Sequence, residues 1–406
     1  MCIGFKKKSG RYVDTSQPGV LMVTGAFPPE ISGGGKQCAT LIKALQSRVR
    51  FTVLTVSSDR TLPVFSREDT VCIHRVIVRP GYFFSQCAVA IRIVVFFCRY
   101  HVMFDIVQLH GVSGKNFLMV VMAKIFGKKV IQKMTSLGHD DPASLAGKKK
   151  LYYTAGFFDR SDIVISVSDA LTQSYLGRGH RAGCLREINN GVDLERFCPV
   201  PDKTGRDAVR AKLGLPRDIF FIMHVGFFSR DKGADTLVKA WDIVRKEKGD
   251  SLGIIFVGAR FSNYCEIDES LVREVSEITK GCGDRVYFIE KTLTIEDWLR
   301  AADCFVFPSL REGMPNALLE AMACALPCVV SLLPGITDTL IEDGRNGYLV
   351  PPADVRGFAR RITAVLDDPY SARVLGECAR KTIENNFDIR TVSAQYESLY
   401  CRLAAR

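Results

Sequence analysis

Short apolar runs alternate with longer stretches of helical period along the whole chain. The first series reads GVLMVTG (19–25), FTVLTV (51–56), DIVQLHG (105–111), KKVIQKM (128–134) and DIVISVS (162–168). A second begins with FFIMHVG (220–226) and continues through LGIIFVG (252–258), RVYFIE (285–290), CFVFPS (304–309) and PCVVS (327–331). This alternation predicts strand-helix-strand units that build parallel sheets. Between the two series lies NNGVDLERFCPVPDKTGRDA (189–208), rich in turn residues and proline and without period, which reads as a linker. The expectation is therefore an α/β chain of two doubly wound, Rossmann-like domains, with ligands at the carboxyl ends of their strands in a cleft between them.

Bulk properties narrow the partners. A chain of 406 residues is too long for one ordinary core, and 47% hydrophobic with 24% charged residues is a globular composition. The most apolar stretch, CAVAIRIVVFFCRY (87–100), is interrupted by Arg92 and is too short to cross a bilayer. The beginning, MCIGFKKKSGRYVDT, has basic residues without the apolar core of a secretory signal, so a cytoplasmic location is expected. Fourteen cysteines are scattered from Cys2 to Cys401 without zinc-site spacing, which predicts reduced thiols. Charge is asymmetric: residues 1–200 hold 27 Lys and Arg against 14 Asp and Glu, whereas 201–406 hold 28 against 30. A basic first half suits an anionic membrane surface or a phosphorylated acceptor; a solvated basic face explains it as well, and no nucleic-acid motif accompanies it.

Two stretches carry candidate chemistry. After the first strand, GAFPPEISGGGKQCATLIKALQ (25–46) is a glycine-rich turn opening a helix at about Gly35, where backbone amides approach a phosphate without side-chain obstruction. It is neither a Walker A loop nor the dinucleotide fingerprint. In the second series, VGFFSRDKGADTLVKAW (225–241) puts Arg230 and Lys232 in the loop after a strand, cations placed to neutralise a diphosphate. Further on, FPSLREGMPNALLEAMACALPCVV sets Glu312 in a loop and Glu320 about one turn into a helix. A carboxylate between Leu319 and Ala321 is costly to bury unpaired. Two neighbouring hydroxyls, as on a ribose, would satisfy it, and the helix N-terminus would favour its charge; a nearby Arg or Lys would serve equally.

These motifs resemble the retaining glycosyltransferases of family 4, also called group 1, which have the GT-B fold. The resemblance runs through GAFPPEISGGGKQ, DIVQLHG, NNGVDLERFCP, the KG loop, the Glu-x7-Glu motif from Glu312 to Glu320, and GITDTLIEDGRNGYLVPPAD (335–354). It implies an N-terminal acceptor-binding domain over 1–195, a nucleotide-sugar-binding domain over 196–385, and a last helix over 386–406 that crosses back to the first domain. It also implies roles. Glu320 would hold the donor ribose and Glu312 the transferred sugar. Gly313, Met314 and Pro315 would seat sugar or pyrophosphate, Arg230 and Lys232 would bind the diphosphate, and Gly34 and Gly35 would approach it from the other domain. His110 would line the sugar or acceptor pocket.

The chain departs from the family pattern in places. Phe227 stands where the family usually has Arg after the strand-ending glycine, Glu290 where a glycine often follows the base-contacting strand, and Asp338 where Glu is common. The fourth N-terminal strand leads into KMTSLGHDDP, so His139, Asp140 and Asp141 belong either to an acceptor pocket or to a polar loop.

The implied reaction moves a sugar from a UDP- or GDP-sugar to a glycan, lipid-linked or small-molecule acceptor with retention, as in cell-surface polysaccharide or glycolipid synthesis. No Asp-x-Asp pair occurs, so neither metal nor other cofactor is expected. The apolar segment 81–100, with Arg92 and Arg99, suits either docking on anionic lipid from the cytoplasmic side or a buried helix. A nucleotide-sugar epimerase of the same fold and a non-catalytic nucleotide-sugar-binding protein are the rival readings.

Overall fold

The computed structural model describes residues 5–8, 11–14, 17–30, 32–78, 83–146, 156–260 and 267–405. Cys2, Cys265, the first four residues, and Gly81 and Tyr82 at the start of the apolar segment lie outside the described residues. The described cysteines are free thiols.

The chain divides into two compact units, Met1–Gly191 with Ile389–Arg406, and Val192–Asp388. In the first unit β1 (Phe5–Lys8) and β2 (Arg11–Asp14) form an antiparallel hairpin. The main sheet has eight strands: β3 (Gly19–Thr24), β4 (Arg50–Ser57), β5 (Phe65–Glu68), β6 (Val71–Ile77), β7 (Ile106–His110), β8 (Lys129–Lys133), β9 (Ile163–Ser166) and β10 (Leu185–Glu187). Their order is β10-β9-β8-β7-β3-β4-β6-β5, parallel except for the β5–β6 pair. In the second unit β11 (Phe220–Val225), β12 (Leu252–Val257), β13 (Val286–Ile289), β14 (Cys304–Phe307), β15 (Cys328–Ser331) and β16 (Tyr348–Val350) form an all-parallel sheet in the order β13-β12-β11-β14-β15-β16. Parallel strands covered on both faces by helices must be apolar throughout, and β3, β12, β14 and β15 are buried at every position.

Strand order reverses between β3 and β7 in the first sheet and between β11 and β14 in the second. At such switch points the connections leave in opposite directions, and the carboxyl ends of the strands open a crevice for ligands. The glycine-rich loop and His110 follow β3 and end β7; the loops of Lys232 and Glu312 follow β11 and β14. Each sheet thus places its candidate residues at its own switch point.

Helix α1 (Gly33–Leu45) starts two residues before the glycine that the sequence suggested, because the Ser32 hydroxyl accepts from Gly35 N at 3.0 Å and caps it. Helix α2 (Phe83–Tyr100) buries Val89, Ile93, Phe96 and Phe97 in a core with β3 and β7 residues, but leaves Ile91 64% and Val95 57% exposed beside Arg92 and Arg99. The apolar segment is therefore a core helix on one face and an apolar surface on the other. It packs against α3 (Gly114–Ile125), whose Phe117 and Ile125 are also exposed. No described helix is long and apolar enough to cross a membrane.

The helix Ile389–Ala404 belongs to the first unit. Val392, Tyr396, Leu399, Tyr400 and Leu403 join Leu41, Ile42 and Leu45 of α1 and the strand residues Ile106, Ile131 and Ile165 in one core. β5, β10 and β16 are three or four residues long, too short for periodicity to reveal, and exist because a longer neighbour offers them a ladder.

Candidate functional site

In the second unit the loop after β11 folds into a single 3-10 turn over Arg230–Lys232 and reverses at Gly233, whose φ is +70°. A Cβ there would lie 2.2 Å from the Pro308 carbonyl oxygen, so only glycine lets this turn rest on the end of β14. Leu310 N donates to the Asp231 carbonyl at 2.8 Å, and the Arg311 guanidinium pairs with the Asp231 carboxylate. These links fix two loops separated by about 80 residues, and across them Lys232 Nζ meets Glu312 Oε1 at 2.7 Å.

Glu312 is 9% exposed and Glu320 5%. Glu320 sits on the helix Asn316–Ala323, whose N-terminus follows the buried Gly313, Met314 and Pro315. Its N-cap residue, Pro315, makes no side-chain cap bond, and no acidic residue lies in its first turn. Its leading amides and positive dipole end therefore favour an anion. Lys232 beside Glu312, with Glu320 and an uncapped helix start nearby in sequence, supplies cation, carboxylates and amide donors, the set a nucleoside-diphosphate sugar needs.

Arg230 is employed differently. Its guanidinium contacts Asp268 at 3.0 Å, Glu274 and the Ser270 hydroxyl at 3.1 Å and Asp235 at 3.5 Å, and the first of these bonds raises its pKa. The structure thus brings Lys232 and Glu312 together and gives Arg230 to the start of the helix Glu269–Ile278. Glu290 is taken by Arg260, which donates from N and Nε at 2.7 Å each and lies over the Phe288 ring at 4.1 Å. Sequence reading did not single out His224, buried at the end of β11 with Nδ1 3.2 Å from the Val306 carbonyl. Burial first, then the Lys232 charge, lowers its pKa to about 4 against the raising effect of that bond, so the ring is neutral.

In the first unit the two loop glycines differ. A Cβ on Gly35 would lie 2.1 Å from the Ala26 carbonyl oxygen, so Gly35 permits close packing of loop on helix, whereas Gly34 faces open space. His110 ends β7 with Nε2 3.0 Å from Gln108 Nε2, and Gln108 Oε1 accepts from Tyr400 OH at 2.8 Å. Burial, assisted by the Lys133 charge, lowers the His110 pKa to about 3. Lys133 ends β8, 3% exposed; its ammonium reaches Asn190 Oδ1 at 2.8 Å and lies over the Tyr396 ring at 5.3 Å. Burial lowers its pKa to about 8. Gln108 and Lys133 are polar residues inside the apolar runs IVQLH and KVIQK, a signal the sequence carried. Asp140 and Asp141 brace their own loop. The former accepts from Thr135 N and Oγ1 and Ser136 N, and the latter from Gly138 N, Ser144 and Ser174. His139 is exposed.

The family model for glycosyl transferases group 1 matches residues 220–368, and that for glycosyltransferase family 4 matches residues 31–196. This chain belongs to glycosyltransferase family 4. Among its relatives, a D-inositol 3-phosphate glycosyltransferase of Catenulispora acidiphila is 30% identical over 66% of this chain and 65% of its own length. The match thus spans just under two thirds of that relative. The N-acetyl-α-D-glucosaminyl L-malate synthase of Bacillus anthracis is 25% identical over 73% of this chain and 74% of its own. The Anabaena protein HepE, solved with UDP and glucose, superposes with a TM-score of 0.78 at 19% identity, covering 95% of this chain and 100% of that one. The fold of this family 4 chain is GT-B, with sheets of eight and six strands that are parallel but for the β5–β6 pair.

Proposed function

We propose that this family 4 protein transfers a sugar from a UDP- or GDP-sugar to an acceptor hydroxyl with retention at the anomeric carbon. The observation that carries the reading is the Lys232–Glu312 pair, set on two loops at the switch point of the second sheet beside the uncapped helix that holds Glu320. Glu320 accepts the two ribose hydroxyls. Lys232 turns to the diphosphate with the amides after Gly313, and Glu312, released from Lys232, accepts hydroxyls of the sugar. The bond from the anomeric carbon to the diphosphate breaks as the acceptor oxygen attacks from the same face, and the acceptor proton passes to the departing phosphate. Lys232 and the helix amides stabilise the leaving group, so the reaction proceeds without added metal.

The acceptor is an acidic or lipid-linked carbohydrate or small molecule. The relatives named for inositol 3-phosphate and L-malate support an acidic one, as does the basic first half of the chain. The chain works at an anionic membrane surface, docking through α2 and α3. These helices contain no acidic residue and expose Ile91, Val95, Phe117 and Ile125, with Arg92 and Arg99 on α2.

The test is thermal stabilisation by a panel of nucleotides and nucleotide sugars, without metal, on the native chain and on Glu320→Ala. One diphosphate nucleotide that stabilises the native chain and not the variant supports the donor site. A panel in which nothing binds removes the reading.

A further inference from the structure

The helix Ile389–Ala404 brings Tyr400 onto the face of β7 that carries Gln108 and His110, which lie two residues apart and so on one side of the sheet. Tyr400 and Gln108 are fully buried. With Tyr400 OH donating to Gln108 Oε1 at 2.8 Å, the amide nitrogen of Gln108 is the atom turned to His110, 3.0 Å from Nε2. An amide nitrogen has only protons to offer, so His110 Nε2 accepts. A neutral imidazole that accepts at Nε2 carries its proton on Nδ1, and His110 Nδ1 is buried with no hydrogen-bond partner among the described residues. The charged group facing this ring is Lys133, and its field opposes a second proton on the imidazole.

We propose that Gln108 and Tyr400 are positioning residues that fix His110 as a neutral Nδ1–H donor, the atom left to serve a hydroxyl oxygen of the bound carbohydrate. This rests on the transferase reading above. In that arrangement His110 has no free lone pair and does not take the acceptor proton, which leaves with the diphosphate. The ring orients a hydroxyl, and the helix Ile389–Ala404 decides which of its nitrogens does so.

The decisive experiment is long-range ¹H–¹⁵N NMR of the histidine side chains in the full chain without ligand. His110 is assigned among the six histidines by its loss in His110→Gln. The expected native signal is that of an Nδ1-protonated ring from pH 5 to 9. Tyr400→Phe frees the amide and gives mixed tautomers, with kcat down about tenfold and KM for the donor little changed. Gln108→Glu, whose carboxylate only accepts, moves the proton to Nε2 and lowers kcat further. A native Nε2-protonated ring overturns the proposal, as do variants that fold and leave both tautomer and kcat unchanged. If the native chain shows no transfer with any donor, it is the transferase reading that fails, while the tautomer spectrum still decides whether Gln108 and Tyr400 fix the ring.

Discussion

Replacing Lys232 with methionine keeps most of the aliphatic chain and removes the ammonium that stands 2.7 Å from Glu312 Oε1. A hydrogen bond between charged groups contributes about 1.5–3 kcal/mol net. The Lys232 side chain is 28% exposed, so solvent screening puts this pair at the low end, about 1.5–2 kcal/mol. For a unit of about 200 residues each kcal/mol moves Tm by about 2–4 °C, which gives a fall of about 3–8 °C for Lys232→Met. The same ammonium is proposed to serve the donor diphosphate, so its loss weakens UDP or GDP by about 10- to 100-fold, or about 1.4–2.7 kcal/mol. Glu312→Gln separates the two effects. It retains an acceptor for Lys232 and frees the ammonium for phosphate, so a nucleoside diphosphate binds at least as tightly while preference for the sugar-bearing form is lost. Calorimetric titration with UDP, GDP and their sugars, beside thermal melts, reads both. A Lys232→Met protein with native nucleotide affinity, or two variants with one ligand profile, would refute the pairing as the core of the donor site.

Gly233→Ala adds a Cβ where the Pro308 carbonyl already stands at 2.2 Å and where φ is +70°; a loss of about 2–4 kcal/mol and of nucleotide binding is expected by denaturant titration. Lys133→Met removes a buried ammonium whose hydrogen-bond partner is the neutral Asn190 amide. In the native chain the folded pKa near 8 lies below the ordinary 10.5, so the unfolded state holds more protons and stability rises from about pH 8 to 10.5. The Met variant should melt higher than native at pH 7 and lack that rise; a Tm difference that does not shrink between pH 8 and 10 contradicts it. Ile91→Glu with Val95→Glu should abolish co-sedimentation with phosphatidylglycerol vesicles, which for the native chain should weaken at high salt; native binding by the double variant removes α2 as the docking face.

The doubly wound architecture was legible because parallel strands have no exposed face, so β12 and β14 stand out as unbroken apolar runs and β3, β7 and β11 as largely apolar ones. The family was legible because Glu320 is anomalous where it stands and Glu312 recurs at fixed spacing before it. Partnerships across the chain were not. Lys232 and Glu312 are 80 residues apart and Gln108 and Tyr400 are 292 apart, and nothing local to either member names the other. Arg230 shows the same limit: its place after a strand suggests phosphate, and the carboxylates that contact its guanidinium, Asp268 and Glu274, lie 38 and 44 residues later on a helix start that nothing beside Arg230 announces. β5, with the sequence FSRE, is exposed at the sheet edge and carries no apolar alternation to detect.

The second unit is threaded into the first. The chain leaves at Gly191, returns at Ile389, and packs these two positions together, a Cβ on Gly191 falling 2.9 Å from Ile389 Cα. Tyr396, Leu399, Tyr400 and Leu403, which fill the core of the first unit, therefore emerge from the ribosome only after the whole of the second unit. Val192–Asp388 has all its strands in hand before that, so the usual order of synthesis-coupled folding is inverted here: the second unit matures first, while the sheet of the first unit waits with an uncovered face for the helix Ile389–Ala404. During that interval the first unit is the segment that chaperones and proteases see, and a stalled or prematurely terminated chain presents a folded second unit tethered to an unfinished first one.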